Sequence, residues 1–208
     1  MDKKPLRLAV LLSGGGTTMV NIQKNIDEGR LNAEICMVIS SRGDVKGIDR
    51  AKKIGVEPLV IRRKDYTCIE DFSDTIAEKL REQSIDLVVQ AGWLCLWLIP
   101  DDYVNRVMNI HPSLLPSFGG KGMWGHHVHE AVLEAGCKVS GCTVHFCTNE
   151  YDKGPIIVQR SCAAYDSDSA DELAARVFEQ ECLAYPEAIE LFERQLLKVD
   201  GSVVRIER

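Results

Sequence analysis

Over roughly the first two-thirds of the chain, short runs of β-branched and leucine residues alternate with segments whose apolar positions return every three or four residues. The runs predict strands near 6–12, 33–40, 57–61, 86–91 and 106–110. The segments between them predict helices over 19–29, 45–55 and 69–84. In the last of these, Phe72, Ile76 and Leu80 fall at i, i+4 and i+8 and form one buried stripe. Strand and helix in strict alternation predict a parallel sheet covered by helices on both faces, so residues 1–110 read as a doubly wound half.

The texture changes after His111. Pro112, Pro116, Gly119, Gly120 and Gly122 break both periodicities and predict a long loop. Beyond it come a helix over 126–135, strand runs over 140–147 and 155–162, and a long helix to about Arg194. Asp168 is the expected N-cap of that helix, with Asp171 and Glu172 in its first turn. Residues 196–208 alternate like a closing strand or hairpin. The expected fold is α/β, an open and mostly parallel sheet with helices on both faces, completed by C-terminal antiparallel strands and a long helix. A chain of 208 residues needs one core, so 1–208 reads as a single domain, with 1–110 and 111–208 as its halves.

Composition narrows the function. With 45% apolar and 27% charged residues the chain is of ordinary globular type, and a net charge of -6 disfavours a nucleic-acid surface. The apolar run 6–12 is too short for a secretory h-region. The stretch 87–100 is broken by Gln90 and Gly92 and falls short of a membrane span. The expected location is the cytoplasm. Eight cysteines, at 36, 68, 95, 137, 142, 147, 162 and 182, contain no C-x-x-C pair and are expected as reduced, buried thiols.

Two segments carry candidate chemistry. Ser13-Gly14-Gly15-Gly16-Thr17-Thr18 follows the first strand and opens the first helix. Free amides and hydroxyls at a helix N-terminus suit a phosphate, although a tight strand-to-helix turn would read the same way. Asn109 and His111 share one face at the C-terminal end of the fifth strand, where open α/β sheets place their ligands. They offer an oxyanion donor and a group that handles a proton near neutrality, or else a hydrogen-bonded structural pair. Asp152 lies in the turn after the strand holding His145. It reads either as a third member, whose charge would raise the pKa of His111, or as a turn residue. His126, His127 and His129 lack an i, i+4 pair, so no metal site is expected. Arg62-Arg63-Lys64 reads as a steering patch for an anion or as a solvated loop.

These segments, with Ala91-Gly92-Trp93, the run from Asn109 to Pro116, Gly141-Cys142-Thr143-Val144-His145-Phe146 and Asp152-Lys153-Gly154-Pro155, carry a family resemblance. In order and over nearly the whole chain they resemble the folate-dependent phosphoribosylglycinamide formyltransferase family. The resemblance implies a Rossmann-like enzyme of purine synthesis that passes a formyl group directly from 10-formyltetrahydrofolate to the amine of phosphoribosylglycinamide. Asn109 and protonated His111 would stabilise the oxyanion, and Asp152 would hold the His111 charge and shuttle protons. Gly14, Gly15, Gly16, Thr17 and Thr18 would take the substrate phosphate, and Glu181 its ribose. The folate would lie against Trp93, Leu94, Cys95, Leu96 and Asn109, and against Cys147, Thr148, Asn149, Glu150, Tyr151 and Asp152. No metal is implied, the partners are small molecules, and the chain would be a monomer or homodimer.

The chain departs from the family pattern in three places. Thr18 stands where Asn is usual, Cys95 replaces a basic residue beside the pterin, and the loop 117–127 lacks a Pro-Gly pair. Other formyltransferases resemble the same core. Those acting on methionyl-tRNA or sugar nucleotides carry a further C-terminal domain, and a formyltetrahydrofolate hydrolase would begin with a regulatory one. Neither is expected here. A non-catalytic folate or phosphate-binding module is the remaining alternative, and the joint presence of Asn109, His111 and Asp152 argues against it.

Overall fold

The computed structural model describes residues 4–207. It resolves into two compact units, one ending at Asn109 and the other starting at Ile110.

The first unit is built on five parallel strands in the order β3-β2-β1-β4-β5. β1 (Leu6–Leu12) lies in the middle, between β2 (Ala33–Ser40) and β4 (Leu87–Gln90), and is fully buried from Leu8 to Leu12. A strand with neighbours on both edges and helices on both faces has no position to give to solvent, which is why it reads as a continuous apolar run. Three helices, α1 (Thr17–Asp27), α2 (Lys46–Lys53) and α3 (Ile69–Glu82), connect the strands as expected. In α3, Phe72, Ile76 and Leu80 are fully buried, and Phe72 stacks on Trp93 with ring centroids 6.3 Å apart. β3 shrinks from the expected 57–61 to Leu59–Val60. Pro58 has no N–H for a ladder, and edge residues have little packing to hold them in register.

β5 (Val107–His111) runs into the second unit. There α4 (His126–Glu134) precedes the antiparallel pair β6 (Val139–Phe146) and β7 (Ile156–Ala163). α5 (Ala170–Glu193) packs on that pair. The closing hairpin, β8 (Leu197–Asp200) with β9 (Val203–Ile206), joins β7 through β9. Arg208, the last residue of the expected closing segment, lies outside the described residues, as do Met1, Asp2 and Lys3.

The cap of α5 corrects the sequence reading. Ser169, not Asp168, is the N-cap: its hydroxyl accepts from the Glu172 N–H while the Glu172 carboxylate accepts from the Ser169 N–H. Asp168 is drawn away by Arg176, which grips it with two hydrogen bonds of 2.7 and 2.9 Å, and it also accepts from the Tyr165 N–H. Among the described residues none of the eight cysteines forms a disulfide. Only Cys142 is fully buried, so the expectation of uniformly buried cysteines fails: seven sit at half-buried positions.

Candidate active site

Three side chains from distant parts of the second unit meet in its interior. His111 ends β5, His145 lies near the end of β6, and Asp152 sits in the turn leading to β7. Nδ1 of His111 is 3.5 Å from Oδ2 of Asp152, and Nε2 of His145 is 3.7 Å from Oδ1 of the same carboxylate. The side chains of His111, His145 and Asp152 keep 4%, 2% and 11% of their surface exposed, so the cluster is nearly dry.

The backbone fixes how these rings present themselves. Nε2 of His111 lies 2.8 Å from the Phe118 carbonyl, and Nδ1 of His145 lies 2.8 Å from the Phe146 carbonyl. A carbonyl only accepts, so each of these nitrogens carries the hydrogen. In the neutral rings the nitrogen turned toward Asp152 is then bare. A proton arriving on His111 would lie between its Nδ1 and a carboxylate oxygen of Asp152.

The loop 112–125 supplies the rest of the shell. Thr143 donates from its hydroxyl to the Ser113 carbonyl and accepts from the Leu115 N–H, and Gln159 donates to the Leu115 carbonyl. These bonds staple the loop to β6 and β7. The same loop presents the Phe118 carbonyl to His111 and the Gly120 N–H to Asp152 at 2.8 Å. Two glycines are fixed by space. A Cβ on Gly119 would lie 2.4 Å from a methyl of Leu115, and one on Gly154 would lie 1.6 Å from the Phe146 carbonyl oxygen. Asp152 itself has φ 56°, a left-handed conformation that Asp tolerates better than most residues.

Burial and charge pull against each other at His111. Burial is the larger influence and lowers its pKa below the ordinary 6.5, while the Asp152 charge and the bond to Phe118 push it up. The expected upward push of Asp152 on His111 is present, but dehydration of the ring outweighs it. For Asp152, burial favours the neutral acid, but His145, His111 and the Gly120 N–H outweigh it and hold the carboxyl below its ordinary value. Elsewhere in this unit, burial pushes the half-buried Glu181 of α5 up to about 7. In the 147–152 turn, Thr148 and Glu150 hydrogen-bond each other, Tyr151 is exposed, and burial raises the Cys147 thiol.

The first unit holds the other predicted residues. Gly16, at φ 73°, turns the chain from β1 into α1, and the first turn of α1 starts with exposed Thr17 and buried Thr18. Ser13 ties this loop to the segment after β4. Its N–H donates to the Gly92 carbonyl, and its hydroxyl accepts from the Leu94 N–H and the Ser41 hydroxyl. Trp93 is buried, Leu94 is 44% exposed, and burial raises the thiol of half-buried Cys95. Asn109 is half-buried on β5, opposite Gln90 of β4 and two residues before His111.

The sequence reading did not single out His145, the Phe118 carbonyl, the Gly120 N–H or the Thr143–Gln159 staple. His145 had one available signal, a polar residue in an otherwise buried strand. His126 and His127 are exposed and pair with Asp171 and Glu130, whereas His129 is buried. Among the described residues no group of three or more His, Cys, Asp or Glu side chains could hold a metal ion, and no helix is long and apolar enough to cross a membrane.

The second unit thus holds a buried histidine–carboxylate cluster at a strand end, and the first unit holds a glycine-rich loop at the start of a helix. The family model described as formyl transferase matches residues 6–189, and the chain belongs to that family. It is similar to the chloroplastic phosphoribosylglycinamide formyltransferase of Arabidopsis thaliana, at 37% identity over 88% of this chain and 64% of that protein. It is also similar to the phosphoribosylglycinamide formyltransferase of Haemophilus influenzae, at 33% identity over 97% of this chain and 93% of that one. Among solved structures, glycinamide ribonucleotide transformylase 1 from Symbiobacterium toebii superposes with a TM-score of 0.91 at 37% identity, covering 100% of this chain and 96% of the other. The chain thus spans about two-thirds of the plant relative's length and nearly all of the bacterial ones.

Proposed function

We propose that this chain transfers the formyl group of 10-formyltetrahydrofolate to the amine of 5'-phosphoribosylglycinamide, a step of purine synthesis. The observation that carries the reading is the buried cluster of His111, Asp152 and His145 in a chain of the formyl transferase family. The amine attacks the formyl carbon, and the carbonyl electrons move to oxygen in a tetrahedral intermediate. Asn109 faces that oxyanion, and His111, whose ring nitrogens are turned to the Phe118 carbonyl and to Asp152, stabilises it through its positive charge. At rest His111 is held neutral by burial, but a negative charge forming beside the ring adds to that of Asp152 and favours the imidazolium. The proton released by the attacking amine can be held on the cluster and returned to N10 of the folate as its bond to the formyl carbon breaks. The products are tetrahydrofolate and the formylated amine, with no net gain or loss of protons.

In this reading Gly14, Gly15, Gly16, Thr17 and Thr18 take the phosphate and Glu181 the ribose, while residues 93–96 and 147–152 contact the folate. The reaction belongs in the cytoplasm, where eight cysteines outside any disulfide stay reduced. The test is an assay of the purified chain with 10-formyltetrahydrofolate, with and without phosphoribosylglycinamide, following both folate and product. Formylated product that appears only with the acceptor is the expected result. Folate deformylation at the same rate without the acceptor would replace the transferase by a hydrolase.

A further inference from the structure

The glycine-rich loop is held from behind by α2. The Gly47 N–H donates to the Gly14 carbonyl at 3.1 Å, and the Arg50 guanidinium donates to the Gly15 carbonyl at 2.6 Å. Gly47 has no room for a side chain, since a Cβ would lie 2.7 Å from both the Gly14 oxygen and a methyl of Leu12. Two consecutive loop carbonyls are therefore fixed toward α2.

A trans peptide is planar, with its C=O and N–H antiparallel. Fixing the Gly14 and Gly15 carbonyls on α2 therefore turns the N–H groups of Gly15 and Gly16 to the opposite side. No acceptor among the described residues takes either one. Arg50 itself has no carboxylate partner among the described residues, although the chain carries a net charge of -6 and most of its other arginines are paired. A guanidinium spent on a backbone carbonyl polarises that peptide and leaves its own positive charge beside the loop.

We propose that Arg50 is a positioning residue for anion binding: by clamping the Gly15 carbonyl it aims the Gly15 and Gly16 amides at the ligand phosphate and adds an uncompensated positive charge behind them. The inference rests on the reading that the loop 13–18 takes a phosphate, and it does not need the formyl-transfer step.

The test titrates the full chain with inorganic phosphate by calorimetry. Wild type should bind, Arg50→Gln should bind about ten-fold more weakly, and Arg50→Lys, which keeps a charge and a donor, should stay within about three-fold of wild type. In the transfer assay, Arg50→Gln should raise KM for the phosphorylated acceptor by a similar factor while KM for the folate moves less than about two-fold. Arg50 is half-buried and its bond to Gly15 is exposed, so both variants should fold, and a melting curve checks this. Phosphate binding by folded Arg50→Gln equal to wild type would overturn the proposal, as would equal rises in KM for both substrates. A chain that transfers no formyl group but binds phosphate in an Arg50-dependent way would sink the transferase reading and uphold this one.

Discussion

The two halves of the proposed chemistry are built from different materials. The loop 13–18 offers main-chain N–H groups, with no titratable side chain of its own between Ser13 and Thr18 and a shape set by three glycines and by α2. The cluster in the second unit consists of titratable side chains, nearly dry, whose rings are set by two backbone carbonyls. A backbone site keeps its charge pattern at every pH and is sensitive to loop geometry. A buried side-chain site is sensitive to hydration and to each partner's charge. Substitutions should therefore act through different observables in the two units.

The largest effect is expected at His111. His111→Ala should lower kcat by at least about 100-fold, the usual worth of an oxyanion or proton-transfer group, with the melting temperature little changed. Steady-state kinetics on a variant shown to be folded checks this. A folded variant with near wild-type kcat would remove the cluster from the chemistry and with it the contrast between the two units. Wild type carries a matching pH signature. His111 sits below 6.5 in the folded chain, so the unfolded chain takes up a proton that the folded one refuses. The His111 contribution to stability should be lost as pH drops through about 6.5, and buried His129 adds a contribution of the same sign; comparing wild type with His111→Ala isolates the first.

The turn that carries Asp152 should break next. In Gly154→Ala the new methyl would meet the Phe146 carbonyl oxygen at 1.6 Å, so the turn must move. The expected cost is about 3 kcal/mol of stability by denaturant titration, together with lost turnover, because Asp152 moves with the turn. Gly154→Ala with wild-type stability would mean that the turn is loosely held and that the distances around Asp152 are not fixed by the backbone.

Glu181 sharpens the comparison from within the second unit, because it is raised by burial without an offsetting partner. The unfolded carboxyl releases its proton near 4.5 and the folded one near 7, so the folded chain binds more protons between those values. The Glu181 contribution to stability should fall as pH rises through that window, opposing the histidines, and stay flat above it. Glu181→Gln removes this dependence and should stabilise the chain at pH 8 by about 1–2 kcal/mol, less than full linkage would give because the residue is only half-buried. Melting temperatures at pH 5 and 8 decide it, and a variant less stable than wild type at pH 8 would show that the carboxylate has a partner.

Most of the framework was legible in the sequence because periodicity reports burial. The run 6–12 reads as a central strand since every position from Leu8 to Leu12 is inside, and the Phe72, Ile76 and Leu80 stripe gives α3 in the same way. The errors fall where local signals compete. Asp168 is as good a cap as Ser169 by residue type, and Arg176, about two helix turns on in α5, decides between them. Pro58 shortens β3 at an edge where packing cannot insist. In the second unit the sequence supplied His111 and Asp152, but not the dehydration that outweighs their attraction, because burial depends on loop 112–125 folding back. The Gly120 and Phe118 main-chain groups carry no sequence signal, since every residue has them.

The smallest effect expected is at Thr18, and it tests what the loop is made of. Thr18→Val keeps the branched shape of a buried position and removes only the hydroxyl, leaving the main-chain N–H groups and the Arg50 clamp intact. If the loop binds phosphate mainly through its backbone, KM for the phosphorylated acceptor should rise only about three- to five-fold, the worth of one neutral hydrogen bond, with kcat unchanged. That rise should be smaller than the one produced by Arg50→Gln, because the clamp orients two amides and brings a charge. A rise for Thr18→Val that exceeds the Arg50→Gln value would reverse the order and make the loop, like the second unit's cluster, a site carried by its side chains.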